Sequence, residues 1–399
     1  MKRISQRLCP AAAVIAIGVI IAAAARADDE EVNRYVVTNL VSNIPNTAPN
    51  TDPLLQNAWG VAFSPAGSPF WIADNATGCA TLYDGTGVKQ GLQVKIPVPG
   101  GGVANDCKPV DFNNPPKPTP AAPTGMIWNP GTNPMTAFLV PGTTIPAVFI
   151  FDTEDGTVSA WAGGLSPFDE AVIAATSSDG AVYKGLAFGV NEKGAFLFAT
   201  DFHGGKIDVF APNQDPMTHV GLAYTSATVD GGFADPNIPD GFAPFGIQNI
   251  DGNLFVTYAK QKLPDKHDDM AGPGNGFVDV FDTDGHLLRR LASRGLLNSP
   301  WAVARASFAF GKFSDDILIG NFGDGKIHAV SDLSDREHSL KTLKDAKGKP
   351  IVIEGLWTLT LGGGAKSSPS TLYFTAGPND EKDGRFGTIT PVSAKRDDN

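Results

Sequence analysis

The sequence is poor in the residues that most chemistry needs. It has three cysteines, six histidines and five methionines in 399 residues. The histidines are His203, His219, His267, His286, His328 and His338. None is spaced H-x-x-x-H, which removes the zinc-hydrolase helix motif. No G-x-S-x-G elbow occurs, so no hydrolase nucleophile is written locally. A Ser-His-Asp site assembled in space needs no such motif. Positive charge is also scarce: 31 Lys and Arg against 42 Asp and Glu, for a formal net charge of −11. That balance argues against nucleic acid and anionic membrane surfaces as partners.

Long apolar runs are missing after the first residues. Lys2, Arg3 and Arg7 precede an apolar stretch, Ala11 to Ala25, and Ala25-Arg26-Ala27 resembles a small-residue cleavage box. Residues 1–27 are therefore expected to be a signal peptide. Losing its four basic residues would take the charge from −11 to −15. The chain is expected to be exported, to a periplasm or the extracellular medium, with no membrane span after cleavage and as a monomer. Cys9 would leave with the leader, so Cys79 and Cys107 remain as an even pair, and a disulfide is the default.

What the sequence does have is glycine, 45 residues, and a recurring phrase. Ile317 to Val330 reads as strand, tight Gly/Asn/Asp turn, strand. Phe196 to Phe210 lies on it without a gap, placing Asp201 on Asn321 and Gly205 on Gly325. Trp71 to Tyr83 and Val148 to Trp161 share the frame, with Asp74 and Asp152 at the same position. Two further copies have longer turns, Lys260 to Asn275 and Pro378 to Phe386. Before each hairpin comes an apolar phrase with a small residue, as in Trp59-Gly60-Val61-Ala62. Glycine suits an inner strand crowded at an axis. A more polar strand follows most hairpins. Six units of four short strands specify an all-β, six-bladed β-propeller over residues 28–392, with 393–399 a polar tail. The sixth unit lacks an outer strand. The orphan Tyr35 to Val41 is expected to supply it beside Gly387 to Val392, closing the ring and removing exposed edges. In this frame Cys79 and Cys107 fall in loops of one face on adjacent blades, so their pairing is geometrically reasonable.

Three segments carry a resemblance: Gly320 to Ile327, Ile353-Glu354-Gly355-Leu356-Trp357, and Tyr373 to Glu381. They resemble an uncharacterised family of secreted bacterial six-bladed propellers, some with a PEP-CTERM sorting tail. The resemblance covers nearly all of residues 28–392 and implies a fold related to NHL-type and gluconolactonase-like propellers. It implies no agreed activity, and no residue role follows from it. This chain departs from the tailed members by ending in Lys395-Arg396-Asp397-Asp398-Asn399.

Function is expected where inner strands begin and hairpins turn, around the channel mouth. The residues before each inner-strand small residue are Trp59, Thr124, Lys184, Phe245, Trp301 and Glu354. They form a ring that would bind a small organic ligand, a protein or a polysaccharide, or else fill the axis. The turn positions Asp74, Asp152, Asp201 and Asn321 suit capping of turns. Gluconolactonase-like enzymes hold a divalent cation with Glu, Asn and Asp near these strand starts. Here only Glu354 fits, which disfavours a cation there. Candidates for Ca²⁺ are Asp268, Asp269, Asp380 and Glu381 in the two long turns, which also read as solvated acidic loops. No other cofactor is indicated. The leading expectation is a ligand-binding propeller, and the alternative is a lactonase-like hydrolase or lyase in the channel, with or without an assisting cation.

Overall fold

The computed structural model describes residues 33–131, 138–331 and 339–392. The expected leader and polar tail lie outside the described residues. The strands form six sheets arranged as a propeller. Strands β1 (Tyr35–Ser42) and β2 (Asn50–Thr51) come first. The first blade follows, with β3 (Ala58–Ala62), β4 (Phe70–Asp74), β5 (Cys79–Tyr83) and β6 (Lys89–Lys95). The second holds β7 (Pro123–Trp128), β8 (Phe149–Thr153), β9 (Thr157–Trp161) and β10 (Val172–Thr176). The third holds β11 (Tyr183–Asn191), β12 (Gly194–Asp201), β13 (Lys206–Ala211) and β14 (Thr225–Ala227). The fourth holds β15 (Phe242–Ile250), β16 (Asn253–Lys260), β17 (Gly276–Phe281) and β18 (Leu287–Ser293). The fifth holds β19 (Pro300–Arg305), β20 (Ile317–Asn321), β21 (Ile327–Val330) and the very short β22 (Lys341–Thr342). The sixth holds β23 (Leu356–Leu361), β24 (Leu372–Ala376) and β25 (Arg385–Pro391).

β1 completes the sixth blade. It runs antiparallel to β25, with Tyr35 opposite Pro391 and Val37 opposite Ile389. Tyr35 is fully buried, stacks on Phe310 at 4.8 Å, and donates its hydroxyl to the Phe310 carbonyl at 3.0 Å. The expected ring closure is therefore present, one residue longer than the sequence indicated.

Blades meet face to face, so their second and third strands are covered on both sides. This explains near-continuous apolar runs such as Ile317 to Ile319, where alternation would mark a half-exposed strand. Leu318 and Ile327 of the fifth blade pack against Leu356, Leu359 and Phe374 of the sixth. Each such side chain contributes about 1.5–3 kcal/mol by leaving water.

The inner strands share one irregularity. Opposite β4 the register runs Ala58 to Asp74, then Val61 to Ile72, so Trp59 and Gly60 form a bulge. Glycine is needed there because the next inner strand is too close: a Cβ on Gly60 would run into the Thr124 carbonyl, and one on Gly246 into that of Trp301.

Candidate functional site at the axis

The bulges aim side chains at the axis from the face where the hairpins turn. In the sixth blade the register jumps from Leu356 to Leu359, so the residue equivalent to Trp59 is Trp357 and not Glu354. Glu354 is exposed at a turn, where it accepts the Asn379 backbone N–H at 2.9 Å. The displacement arises because Gly355 resembles the inner-strand glycine but serves a turn with φ of 66°. Thr358 fills the tight place and donates to the Trp59 carbonyl at 2.8 Å.

Of the six ring residues, Trp59, Lys184, Phe245 and Trp301 do converge. Trp59 and Trp357 stack at 3.4 Å, and Phe322 stacks on Trp357 at 3.9 Å. Trp301 stands edge-on to Trp59 at 6.4 Å, and Phe245 edge-on to Trp357 at 6.0 Å. These rings close the channel at this end, with Trp301 and Phe322 left half-buried. Trp59 is buried, and its indole N–H has no partner among the described residues. Thr124 turns away from the axis toward Asp152 and the Tyr183 carbonyl.

Over this aromatic floor lies a polar network. The Lys184 ammonium sits 5.4 Å from the centre of the Trp59 ring and pairs with Glu154. Asn75 donates to Glu154 at 2.9 Å, and Asn57 donates to Asn75 at 3.1 Å and to Glu381 at 2.8 Å. Trp357 donates its indole N–H to Asn57 at 2.8 Å, and Trp301 donates to the Lys184 carbonyl at 2.8 Å. His267 lies 4.0 Å from Glu154 and 2.9 Å from Asp268. All six blades contribute to this assembly, the fifth through Trp301 and Phe322 and the fourth through its long turn.

The charges control one another. Burial pushes the Glu381 carboxyl up to about 7, reinforced by Glu154 and Asp268 and opposed by Lys184. Burial disfavours the Lys184 ammonium, but Glu154, Glu381 and Asp268 outweigh it and hold the group above its ordinary value. The hydrogen bond that His267 gives Asp268 raises His267, and the same bond lowers Asp268. Burial raises Asp269.

The four carboxylates weighed as metal ligands separate. Asp268 and Glu381 face Lys184, Asp269 packs toward Ser299, and Asp380 is 94 % exposed. Among the described residues no three His, Cys, Asp or Glu side chains are placed to hold one ion. The carboxylates that converge, Glu154, Asp268 and Glu381, surround the Lys184 ammonium.

The repeated turn positions differ in role. Asp201 accepts the Gly204 and Val182 N–H groups, and Asn321 donates to the Leu296 carbonyl and to Asp324, which ties down both turns. Asp74 and Asp152 are fully buried beside Thr81 and Thr124, and burial raises both, Asp152 to about 7. Cys79 and Cys107 are joined in a disulfide, with 5.6 Å between their α-carbons. A larger cleft, about 840 Å³, lies off the axis between the third and fourth blades. Its buried carboxylate, Asp235, is neutralised by Arg290.

Sequence reasoning missed Asn57, Asn75, Glu154 and Trp357. A signal existed for Asn75: it follows the repeated Asp74, as Phe202 follows Asp201 and Phe322 follows Asn321, and all three face the axis.

No family model matches the chain. The uncharacterized protein R648 of Acanthamoeba polyphaga mimivirus is 30% identical over 361 residues, covering 90% of this chain and 80% of that protein. The uncharacterized protein L690 of the same virus is 28% identical over 357 residues, covering 88% and 85%. Among solved structures, a glucose dehydrogenase covers 90% of this chain and 99% of its own at 11% identity, with a TM-score of 0.51. That likeness shows the propeller fold alone. The relatives are mimivirus proteins, so they lend nothing to a bacterial source or a sorting tail.

Proposed function

The chain belongs to the family of the mimivirus protein R648, and from that premise we propose a propeller that binds a small polar organic ligand over its axis. The observation that carries this reading is the network itself: four blades bring Glu154, Lys184, His267, Asp268 and Glu381 together over an aromatic floor that the other two blades help to build. Acidic groups outnumber basic ones there, which favours a ligand with an ammonium group, cationic or zwitterionic. Half-buried Trp301 and Phe322 add a ring face for such a cation. Calorimetry with choline and glycine betaine tests it. Binding that weakens in Glu381→Gln and ignores EDTA is expected. No heat with either compound, or loss of binding with EDTA, would reject the reading.

The disulfide supports export to an oxidising compartment. No helix of the described residues is long and apolar enough to cross a membrane.

A second reading rests on Glu381 alone. A carboxyl that burial raises to about 7, held by the Asn57 amide, suits general acid–base work, as a lactone hydrolase or lyase would need. Hydrolysis of simple lactones that rises and falls with the Glu381 titration would favour this reading.

A further inference from the structure

The channel is blocked by aromatic rings at the turn face, but it opens at the other end. Just below the rings it narrows to about 20 Å³, at the level of Gly60, Gly125 and Ala302. Beyond that it widens into a chamber of about 230 Å³. The wall is formed by the far ends of the inner strands, so the chamber is separated from the axial network by the stacked tryptophans.

Its lining differs from the rest of the molecule in one respect. In a chain of net charge −11, no ionisable side chain lines the chamber among the described residues. The side chains that matter are Met126, Trp128, Leu186, Phe188, Gln248 and Thr360. The Gln248 amide and the Trp128 indole N–H have no hydrogen-bond partner among the described residues, so both remain available to a ligand. Gln248 is exposed, and Trp128, Phe188 and Thr360 are half-buried.

Size and chemistry narrow the occupant. A cavity of about 150 Å³ holds a benzene ring, and pockets for drug-sized molecules start near 300 Å³. At about 230 Å³ there is room for one substituted six-membered ring and not for two. An ion would lose its hydration with no opposite charge to meet. A purely apolar ring would leave the amide and the indole N–H unpaired. A neutral cyclic polyol satisfies both constraints: its hydroxyl edge meets Gln248, Thr360 and the Trp128 N–H, and its C–H faces lie on Trp128 and Phe188. We infer that this blind chamber is a binding site for a neutral, monosaccharide-sized polyol, entered from the face opposite the hairpin turns.

The full chain is titrated with glucose and myo-inositol, and with gluconate and glucosamine as charged counterparts, followed by saturation-transfer NMR and calorimetry. The neutral compounds are expected to bind, and the charged ones at least tenfold more weakly. Thr360→Trp, which fills the chamber, should abolish binding, and Gln248→Ala should weaken it about tenfold, a loss of about 1.4 kcal/mol. Both sites reach solvent, and unchanged melting curves confirm folding. Glu381→Gln, at the opposite face, should leave this binding intact and so separates the chamber from the axial network. Failure of both neutral compounds to bind overturns the inference. So does binding that survives Thr360→Trp, or equal affinity for the charged counterparts.

Discussion

Asp152 Oδ1 lies 2.9 Å from the Thr124 hydroxyl, which also lies 2.8 Å from the Tyr183 carbonyl in the next blade. A hydroxyl has one proton to give. When Thr124 gives it to the carbonyl, Asp152 can close the bridge only by donating, as a neutral acid. This agrees with burial raising Asp152 to about 7. The second and third blades are thus joined through one hydroxyl shared between the Asp152 carboxyl and the Tyr183 carbonyl.

A pH dependence follows. The folded acid keeps its proton up to about 7, and the unfolded one loses it near the ordinary value of 3.8. Between those values the native state binds more protons, so stability falls as pH rises and levels off above 7. The full effect has a ceiling of about 4 kcal/mol. Denaturant melts of the wild type and Asp152→Asn should show the slope in the first and a flatter line in the second. Parallel lines would mean that Asp152 ionises normally.

The Lys184–Glu154 pair is almost fully withdrawn from water, with Lys184 only 3% exposed. Removing one partner strands the other, at a cost of about 3–5 kcal/mol. Lys184→Met should therefore be strongly destabilising, and Lys184→Met with Glu154→Gln should recover much of the loss. Additive losses in the double-mutant cycle would show that the two side chains do not depend on each other.

Trp59 and Trp301 should separate experimentally. Trp59 is buried and stacked on Trp357, so Trp59→Ala is expected to cost about 3–5 kcal/mol. Trp301 is half-buried, so Trp301→Ala should cost less and weaken choline binding more than it lowers the melting temperature. Equal losses of stability in the two variants would count against a floor with one buried and one accessible ring.

The disulfide closes a loop with a sequence separation of 28, for which chain entropy gives a stabilisation of about 3.6 kcal/mol. Thiol titration of the denatured, unreduced protein should find neither Cys79 nor Cys107 free. Reduction should lower the unfolding midpoint. An unchanged midpoint would place the stabilisation elsewhere.

Deleting residues 28–42 should lower the melting temperature markedly, because it removes Tyr35 and exposes the edge of β25. A truncated chain as stable as the intact one would mean that β1 is dispensable.

Much of the fold was legible because the repeat is written in turns. Asp201 and Asn321 sit at one position of a gapless alignment, and the structure gives both to turns. The closing strand was legible because Tyr35 to Val41 had no hairpin of its own. The axial site was less so. Gly355 and Gly60 look alike in sequence, but one serves a turn and the other a strand in contact, which exchanged Glu354 for Trp357. Asn57 and Glu154 carry no local motif. They become a site only when bonds such as Trp357 to Asn57 span 300 residues of chain.

The pairing of β1 with β25 also sets the order in which the molecule can be made. The Val392 N–H donates to the Arg34 carbonyl at 2.9 Å, so residues from opposite ends of the ring are immediate neighbours. During synthesis β1 emerges early and has no partner until the last hairpin has been translated. Every intermediate length is an open arc with two unsatisfied borders, vulnerable to pairing with another chain. Closing the ring then requires a meeting of the two ends, whose entropic cost grows only weakly with the length between them. For the same reason the ring has no privileged starting blade, and a permuted gene that joins Val392 to Arg34 and opens an exposed loop elsewhere should encode the same closed object.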